Sequence, residues 1–127
     1  MSIERRFYPR KDVNFSVSIV LKDSEQQLTS TAINLSLSGV QLSADKACVD
    51  FILSHTNHPH PTQFQIILNE DKKLGLMAVR LIVIRRISQN DFLLGLKFIN
   101  ITVEQLTSIE ALLSQQINVV VQQNWPT

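Results

Sequence analysis

The chain has 127 residues, a length typical of one domain with its own hydrophobic core. Its 12 basic and 11 acidic side chains leave a formal charge of +1, so it lacks the overall positive field on which non-specific nucleic-acid binding depends. No secretory signal follows the charged start, and no apolar run approaches the roughly 20 residues of a membrane span. We therefore expect one cytoplasmic domain, residues 1–127, that does not insert into a membrane.

The first half of the chain contains three predicted strands. Period-two alternation of apolar side chains predicts the first strand from Val13 to Leu21. A second, rich in Thr and Ile, runs from Leu28 to Leu35, and a third begins at Gly39. From Ala44 to Thr62 the alternation fades, and we expect an irregular connection with one helical turn near Cys48 to Leu53.

Three more strands are predicted in the second half. Alternation returns from Phe64 to Leu68, a β-branched stretch follows from Leu74 to Arg86, and the last strand runs from Phe92 to Phe98. Six consecutive strands at short spacing, with one long connection, indicate an all-β domain. We expect a six-stranded antiparallel β-barrel over residues 13–99, because closure removes exposed strand edges that would otherwise template aggregation.

The period changes after the last strand. Apolar side chains then recur at intervals of three and four residues, which predicts one amphipathic helix over residues 102–122. Thr102 followed by Gln105 has the spacing of a capping box at its start. We expect the apolar stripe of this C-terminal helix to pack against the barrel.

Nothing in the sequence favours catalysis or a bound metal. Cys48 is the single cysteine, and no oxyanion element accompanies it and His55. His55, His58 and His60 are close in sequence, but their segment has no Cys, Asp or Glu to complete a metal site. Three glycines in the whole chain cannot build a P-loop or a Rossmann turn. We therefore expect no enzyme activity, metal or cofactor.

An arginine-rich arm, residues 1–12, precedes the first strand. It carries Arg5, Arg6 and Arg10, and Pro9 excludes a helix there. A guanidinium is a planar fork that pairs bidentately with phosphate and with the O6 and N7 edge of guanine. The arm is therefore either a clamp for an anionic guanine nucleotide or a solvated basic terminus.

A second motif lies between the second and third predicted strands. Asn34 and Ser36 supply hydrogen-bonding groups, and Gly39 allows close backbone approach. Taken alone, this Asn-x-Ser-x-x-Gly pattern is an ordinary turn.

Together the two motifs resemble the paired signature of PilZ domains, bacterial receptors for cyclic di-GMP that act in processes such as motility and biofilm formation. The resemblance rests on Arg6-x-x-x-Arg10 before the first strand and on Asn34-x-Ser36-x-x-Gly39 after it. It implies a six-stranded barrel, in single-domain members often with a C-terminal helix, and a receptor that changes its interaction surface for a protein partner on binding the ligand.

The resemblance also implies roles for single residues. It assigns Arg6 and Arg10 as the main clamp on phosphates and guanine edges, with Asn34, Ser36 and Gly39 as the floor beneath the ligand. Arg5 extends the clamp, and an arginine at this position in the family tends to accompany a stacked ligand dimer. We therefore expect two cyclic di-GMP molecules per chain.

One departure from the family pattern lies in the fifth predicted strand. Some single-domain members have a tryptophan there that stacks on a guanine, whereas this chain has Ile82-Val83-Ile84-Arg85-Arg86. Arg85 is the candidate replacement through its planar guanidinium. Without that stack the affinity would be modest, because a base–aromatic stack contributes roughly 1–3 kcal/mol.

Two other functions are compatible with a small barrel. One is a ligand-independent protein adaptor that keeps the PilZ-like barrel, for example in pilus or flagellar assembly; the complete motifs argue against it. The other is a binder of single-stranded nucleic acid, which the near-neutral charge and an aromatic content of 6% disfavour.

Overall fold

The computed structural model describes residues 10–21, 26–54 and 62–124, with side chains described as far as residue 114. The strands are β1 Lys11–Val20, β2 Gln27–Leu35, β3 Gly39–Asp45, β4 Gln63–Leu68, β5 Leu76–Arg86 and β6 Asp91–Phe98. The helices are α1 Lys46–Ser54 and α2 Val103–Asn124. All neighbouring strands are antiparallel and form a closed barrel in the order β1-β2-β3-β6-β5-β4. The predicted six-stranded barrel with a C-terminal helix is confirmed.

The apolar side chains that alternate along the strands fill the barrel interior. In β1 every second side chain is buried, beginning with Val13 and including Val17 and Ile19, which are fully buried. Leu42 of β3 and Leu94 of β6 are opposite each other and have no exposed surface. Burial of such side chains contributes about 1.5–3 kcal/mol each, which makes the interior the main source of stability.

Helix α1 occupies about half of the predicted irregular connection and is longer than the single helical turn expected there, so that expectation is wrong. Asp45 caps the helix by accepting a hydrogen bond from the backbone N–H of Cys48 at 2.8 Å. Lys46 and Asp50, one turn apart, form a salt bridge of 2.8 Å. Val49 and Ile52 are buried against the core with Cys48. The apolar spacing was helical, but nine residues are too few for that signal to stand out in the sequence.

The start of β5 also differs from the prediction. Leu74 belongs to a 3₁₀ turn, Lys72–Leu74, and not to the strand. Asp71 caps this turn by accepting a hydrogen bond from the N–H of Lys73 at 3.0 Å. Gly75 then has φ of 61°, a left-handed conformation that reverses the chain before β5 begins.

The capping box predicted at α2 is present. Thr102 Oγ1 accepts a hydrogen bond from the Gln105 N–H at 3.0 Å, and Gln105 Oε1 accepts one from the Thr102 N–H at 3.1 Å. Gln105 also donates to the carbonyls of Leu74 and Leu76, and Ile109 is fully buried. The helix is thus fixed to the end of the barrel where β5 begins. Within the described part of the chain, no helix has the length and apolar character needed to cross a membrane.

Candidate functional site

The β2–β3 turn is built around a buried serine. Ser36 is only 5% exposed, and its Oγ accepts a hydrogen bond from the Ser38 N–H at 3.2 Å. The two serine hydroxyls lie 3.0 Å apart, and the Ser36 N–H donates to the Gly39 carbonyl at 2.9 Å. Ser36 therefore fixes the shape of the turn that carries the second motif.

Gly39 begins β3 at a point where two strands come very close. A Cβ added at this position would overlap the carbonyl oxygen of Leu96 and lie 3.2 Å from its carbonyl carbon. Backbone atoms cannot move aside as a flexible side chain can. The close approach anticipated at Gly39 is therefore made by the backbone of β6.

A groove of about 640 Å³ lies on the outer face of the barrel, over β3, β6 and β5. Arg10, Asn34, Ser36 and Gly39 all line it. Residues from both predicted motifs, which are separated in sequence by the whole of β1, are therefore brought together at one place. Arg5 and Arg6 lie outside the described residues.

The floor of the groove consists of residues that face outward on neighbouring strands. Gln41 of β3 lies opposite Gly95 of β6, and Gly95 lies opposite Val83 of β5. Gly39 lies opposite Lys97. Because paired residues point to the same face of a sheet, these residues form adjacent cross-strand rows.

One wall of the groove is apolar and accessible. Ile82 is 56% and Val83 is 47% exposed, and Leu93 lies beside them. A bulge in β5 between Leu81 and Val83 shifts the pairing with β6 by one residue. Apolar surface of this kind is suited to cover one face of a planar ring.

The charge lining the groove is positive. Arg10, Arg85 and Lys97 contribute cations, and none of the described residues that line the groove is acidic. Arg86, although next in sequence, does not line it; its guanidinium donates to the carbonyls of Ser88 and Gln89 and lies over the ring of Phe92. The site is therefore suited to an anionic ligand with planar rings.

The sequence did not identify Gln41, Gly95 or Lys97 as site residues. Alternation indicates which side chains point outward, but it does not indicate which strands are neighbours. The order β3-β6-β5 brings these residues together.

No catalytic or metal-binding group stands out in the part of the chain that the structure describes. Burial, with a smaller contribution from the charge of Asp45, raises the pKa of Cys48 to about 11, so its thiol stays protonated near neutral pH. Within residues 10–21, 26–54 and 62–114, no cluster of three or more His, Cys, Asp or Glu side chains is placed to hold a metal ion. His55, His58 and His60 lie outside the described residues.

The family of the chain follows from its sequence. A model of the PilZ domain family matches residues 4–115. The chain therefore belongs to the PilZ domain family, and the resemblance seen in its two motifs is confirmed. No curated protein matches the chain significantly in sequence.

Solved structures share the fold. The PilZ domain of YcgR from Escherichia coli with c-di-GMP has a TM-score of 0.67 and 18% identity, over 94% of this chain and 96% of that one. The K. pneumonia MrkH–c-di-GMP complex has a TM-score of 0.67 and 14% identity, over 94% and 56%. The Bacillus subtilis inhibitor of motility MotI has a TM-score of 0.63 and 14% identity, over 90% and 52%. This chain spans about half the length of MrkH and of MotI.

Proposed function

We propose that this chain is a receptor domain for cyclic di-GMP, with no catalytic activity of its own. The observation that carries the proposal is one groove lined by Arg10 of the first motif and by Asn34, Ser36 and Gly39 of the second. The c-di-GMP complexes of YcgR and MrkH, whose folds this chain shares, add support.

The chemistry of the groove fits this ligand. Cyclic di-GMP carries anionic phosphodiesters and planar guanines, and the groove offers cations beside an exposed apolar wall. Its volume of about 640 Å³ lies within the range of about 300–1,000 Å³ found for small-molecule sites. Arg10 is exposed and immediately precedes β1, so its guanidinium is free to close over a bound phosphate or a guanine edge.

The proposal extends to the arm that precedes Arg10. Arg6 completes the main clamp, and Arg5 adds a further cation for a second, stacked ligand molecule, which gives two cyclic di-GMP molecules per chain. Contact between the arm and the ligand changes the surface that the domain offers to a protein partner. Arg85 stacks on a guanine through its planar guanidinium, in the place of an aromatic side chain.

Calorimetric titration with cyclic di-GMP and with cyclic di-AMP tests the proposal. Adenine presents a donor where guanine presents O6, so cyclic di-AMP should bind far more weakly. Equal affinity for both dinucleotides, or no binding of either, would overturn the assignment. In the latter case a ligand-independent adaptor would become the better interpretation.

Substitutions in the arm test the clamp. Arg6→Ala and Arg10→Ala should each weaken binding by roughly 2–5 kcal/mol, the cost of losing one partner of a buried charge pair. Lys73→Ala is the matched control, because Lys73 is an exposed cation in the turn before β5 and does not line the groove. The melting temperature should stay unchanged in all three variants. A loss of binding accompanied by a collapsed melt would mean that the arm supports the fold and does not grip the ligand.

A further inference from the structure

A row of outward-facing residues crosses four strands at one end of the groove. Gln63 of β4 lies opposite Arg80 of β5, Arg80 lies opposite Lys97 of β6, and Lys97 lies opposite Gly39 of β3. Residues directly opposite each other point to the same face of the sheet. Arg80 and Lys97 are thus adjacent cations on the outer face of the barrel.

This pairing is unfavourable in the free protein. Like charges directly opposite each other on neighbouring strands are destabilising. Among the described residues, the salt bridge is the one between Lys46 and Asp50 on α1. No carboxylate of the described residues therefore forms a salt bridge with Arg80 or Lys97. In addition, Arg80 Nε is buried and has no hydrogen-bond partner, a costly state for a charged donor. An unfavourable arrangement of this kind becomes favourable when an anion binds to it.

The position of the pair connects it to the groove. Lys97 lines the groove, and so does Gly39, which lies opposite it. Arg80 is on the far side of Lys97 from Gly39 and supplies a guanidinium fork that can hold two phosphate oxygens. Ser36 and Ser38 of the β2–β3 turn line the same groove as Lys97.

From this arrangement we infer that Lys97 and Arg80 form a phosphate-binding subsite that holds a phosphodiester of the bound cyclic dinucleotide. The inference rests on the proposed function and adds to it two residues outside both sequence motifs. The ligand phosphate neutralises the repulsion between the two like charges. The subsite therefore lowers the stability of the free protein and raises its affinity for the ligand.

Lys97→Gln and Arg80→Gln test the subsite, with Lys73→Gln as the matched control for loss of one positive charge outside the groove. Lys97→Gln, which changes a residue of the groove, and Arg80→Gln, which changes its neighbour outside the groove, should each bind cyclic di-GMP about 10-fold or more weakly, the scale of one charge-assisted hydrogen bond. Without ligand, the melting temperature of Lys97→Gln should rise by about 1–5 °C, because the like-charge contact is relieved. The control should change neither quantity.

The opposite signs of these two effects distinguish the subsite from a structural role. If Lys97→Gln lowers both the affinity and the melting temperature, the residue supports the fold and the inference fails. If the unaltered protein binds cyclic di-GMP and both variants bind it equally well, the inference fails while the proposed function stands. If the unaltered protein does not bind cyclic di-GMP at all, the proposed function fails, and the inference fails with it.

A test with inorganic phosphate shows whether the subsite binds a phosphodiester of the dinucleotide or free phosphate. At the concentration at which cyclic di-GMP saturates the protein, inorganic phosphate alone should raise the melting temperature much less than cyclic di-GMP does. A rise that Lys97→Gln abolishes, with affinity for cyclic di-GMP unchanged, would assign the pair to free phosphate and overturn the inference.

Discussion

Replacing Gly39 with alanine should destabilise the barrel, although the change adds only one methyl group. The new Cβ would overlap the carbonyl oxygen of Leu96 and lie 3.3 Å from the Cα of Lys97. All of these atoms belong to the backbone of β6, which is itself paired with β5. The overlap is therefore relieved only by separating β3 from β6 at this point.

The expected cost is the sum of two effects. Overpacking that forces backbone shifts costs typically about 1–3 kcal/mol. Each hydrogen bond lost from the β3–β6 pair costs about 0.5–1.5 kcal/mol more. We therefore expect Gly39→Ala to lower the free energy of unfolding by about 2–4 kcal/mol. For a domain of this size, that corresponds to a fall in melting temperature of roughly 6–20 °C.

Gly95→Ala is the matched control for the fold. A Cβ at this position would be 3.4 Å from the Cβ of Val83, an ordinary van der Waals contact, and the φ of Gly95 is not in the left-handed region. Alanine also loses less conformational entropy than glycine on folding, so stability should be unchanged or higher by up to about 1 kcal/mol. However, the methyl group would stand on the floor of the groove. We expect Gly95→Ala to weaken binding of cyclic di-GMP while leaving the barrel folded.

Thermal and urea melts of the free proteins, followed by calorimetric titration, separate these outcomes. A Gly39→Ala variant that melted like the unaltered protein would contradict the predicted overlap with β6. A Gly95→Ala variant that melted normally and bound cyclic di-GMP with unchanged affinity would contradict the predicted effect on binding. In that case the ligand would not contact the floor of the groove.

Further predictions concern the arm, the buried thiol and the C-terminal helix. Arg5→Ala should reduce the ligand stoichiometry from two towards one, or weaken binding less than Arg6→Ala does; a calorimetric stoichiometry of one for the unaltered protein would contradict this. Because the pKa of Cys48 is raised to about 11, the folded protein should react with a thiol reagent much more slowly than the urea-denatured protein, and equal rates would contradict its burial. The stabilisation from this raised pKa is complete below the ordinary value of 9.0 and is lost as the pH rises towards 11, which urea melts across that range should detect relative to Cys48→Ala. Gln105→Ala should lower the free energy of unfolding by about 1–3 kcal/mol, because it removes the helix cap and hydrogen bonds to the barrel; unchanged urea melts would contradict that role.

The sequence by itself determined the type of each long element. Alternation in β1 predicted which of its side chains are buried, because a strand projects successive side chains to opposite faces. The capping box of Thr102 and Gln105 located the start of α2, because its hydrogen bonds join residues only three apart. These signals are local and need no knowledge of the rest of the fold. By contrast, only one turn of α1 was predicted, near Cys48 to Leu53, because nine residues give too short a periodic signal to define the whole helix.

The sequence also supplied the residues of the candidate site that belong to short motifs. Arg10 lies just before β1, and Asn34, Ser36 and Gly39 lie at the β2–β3 turn; the structure places all four along one groove. Local spacing was sufficient for them, because each motif is held by a single turn or strand end.

Only the tertiary structure decided the rest of the groove. Strict alternation from Val79, which is fully buried, would direct Val83 and Arg85 into the barrel. The bulge between Leu81 and Val83 reverses that phase, and both residues line the outer groove. Lys97 reached the same surface because β6 pairs with both β3 and β5. Bulges and strand order depend on contacts between segments distant in sequence, and a pattern read along one strand does not contain them.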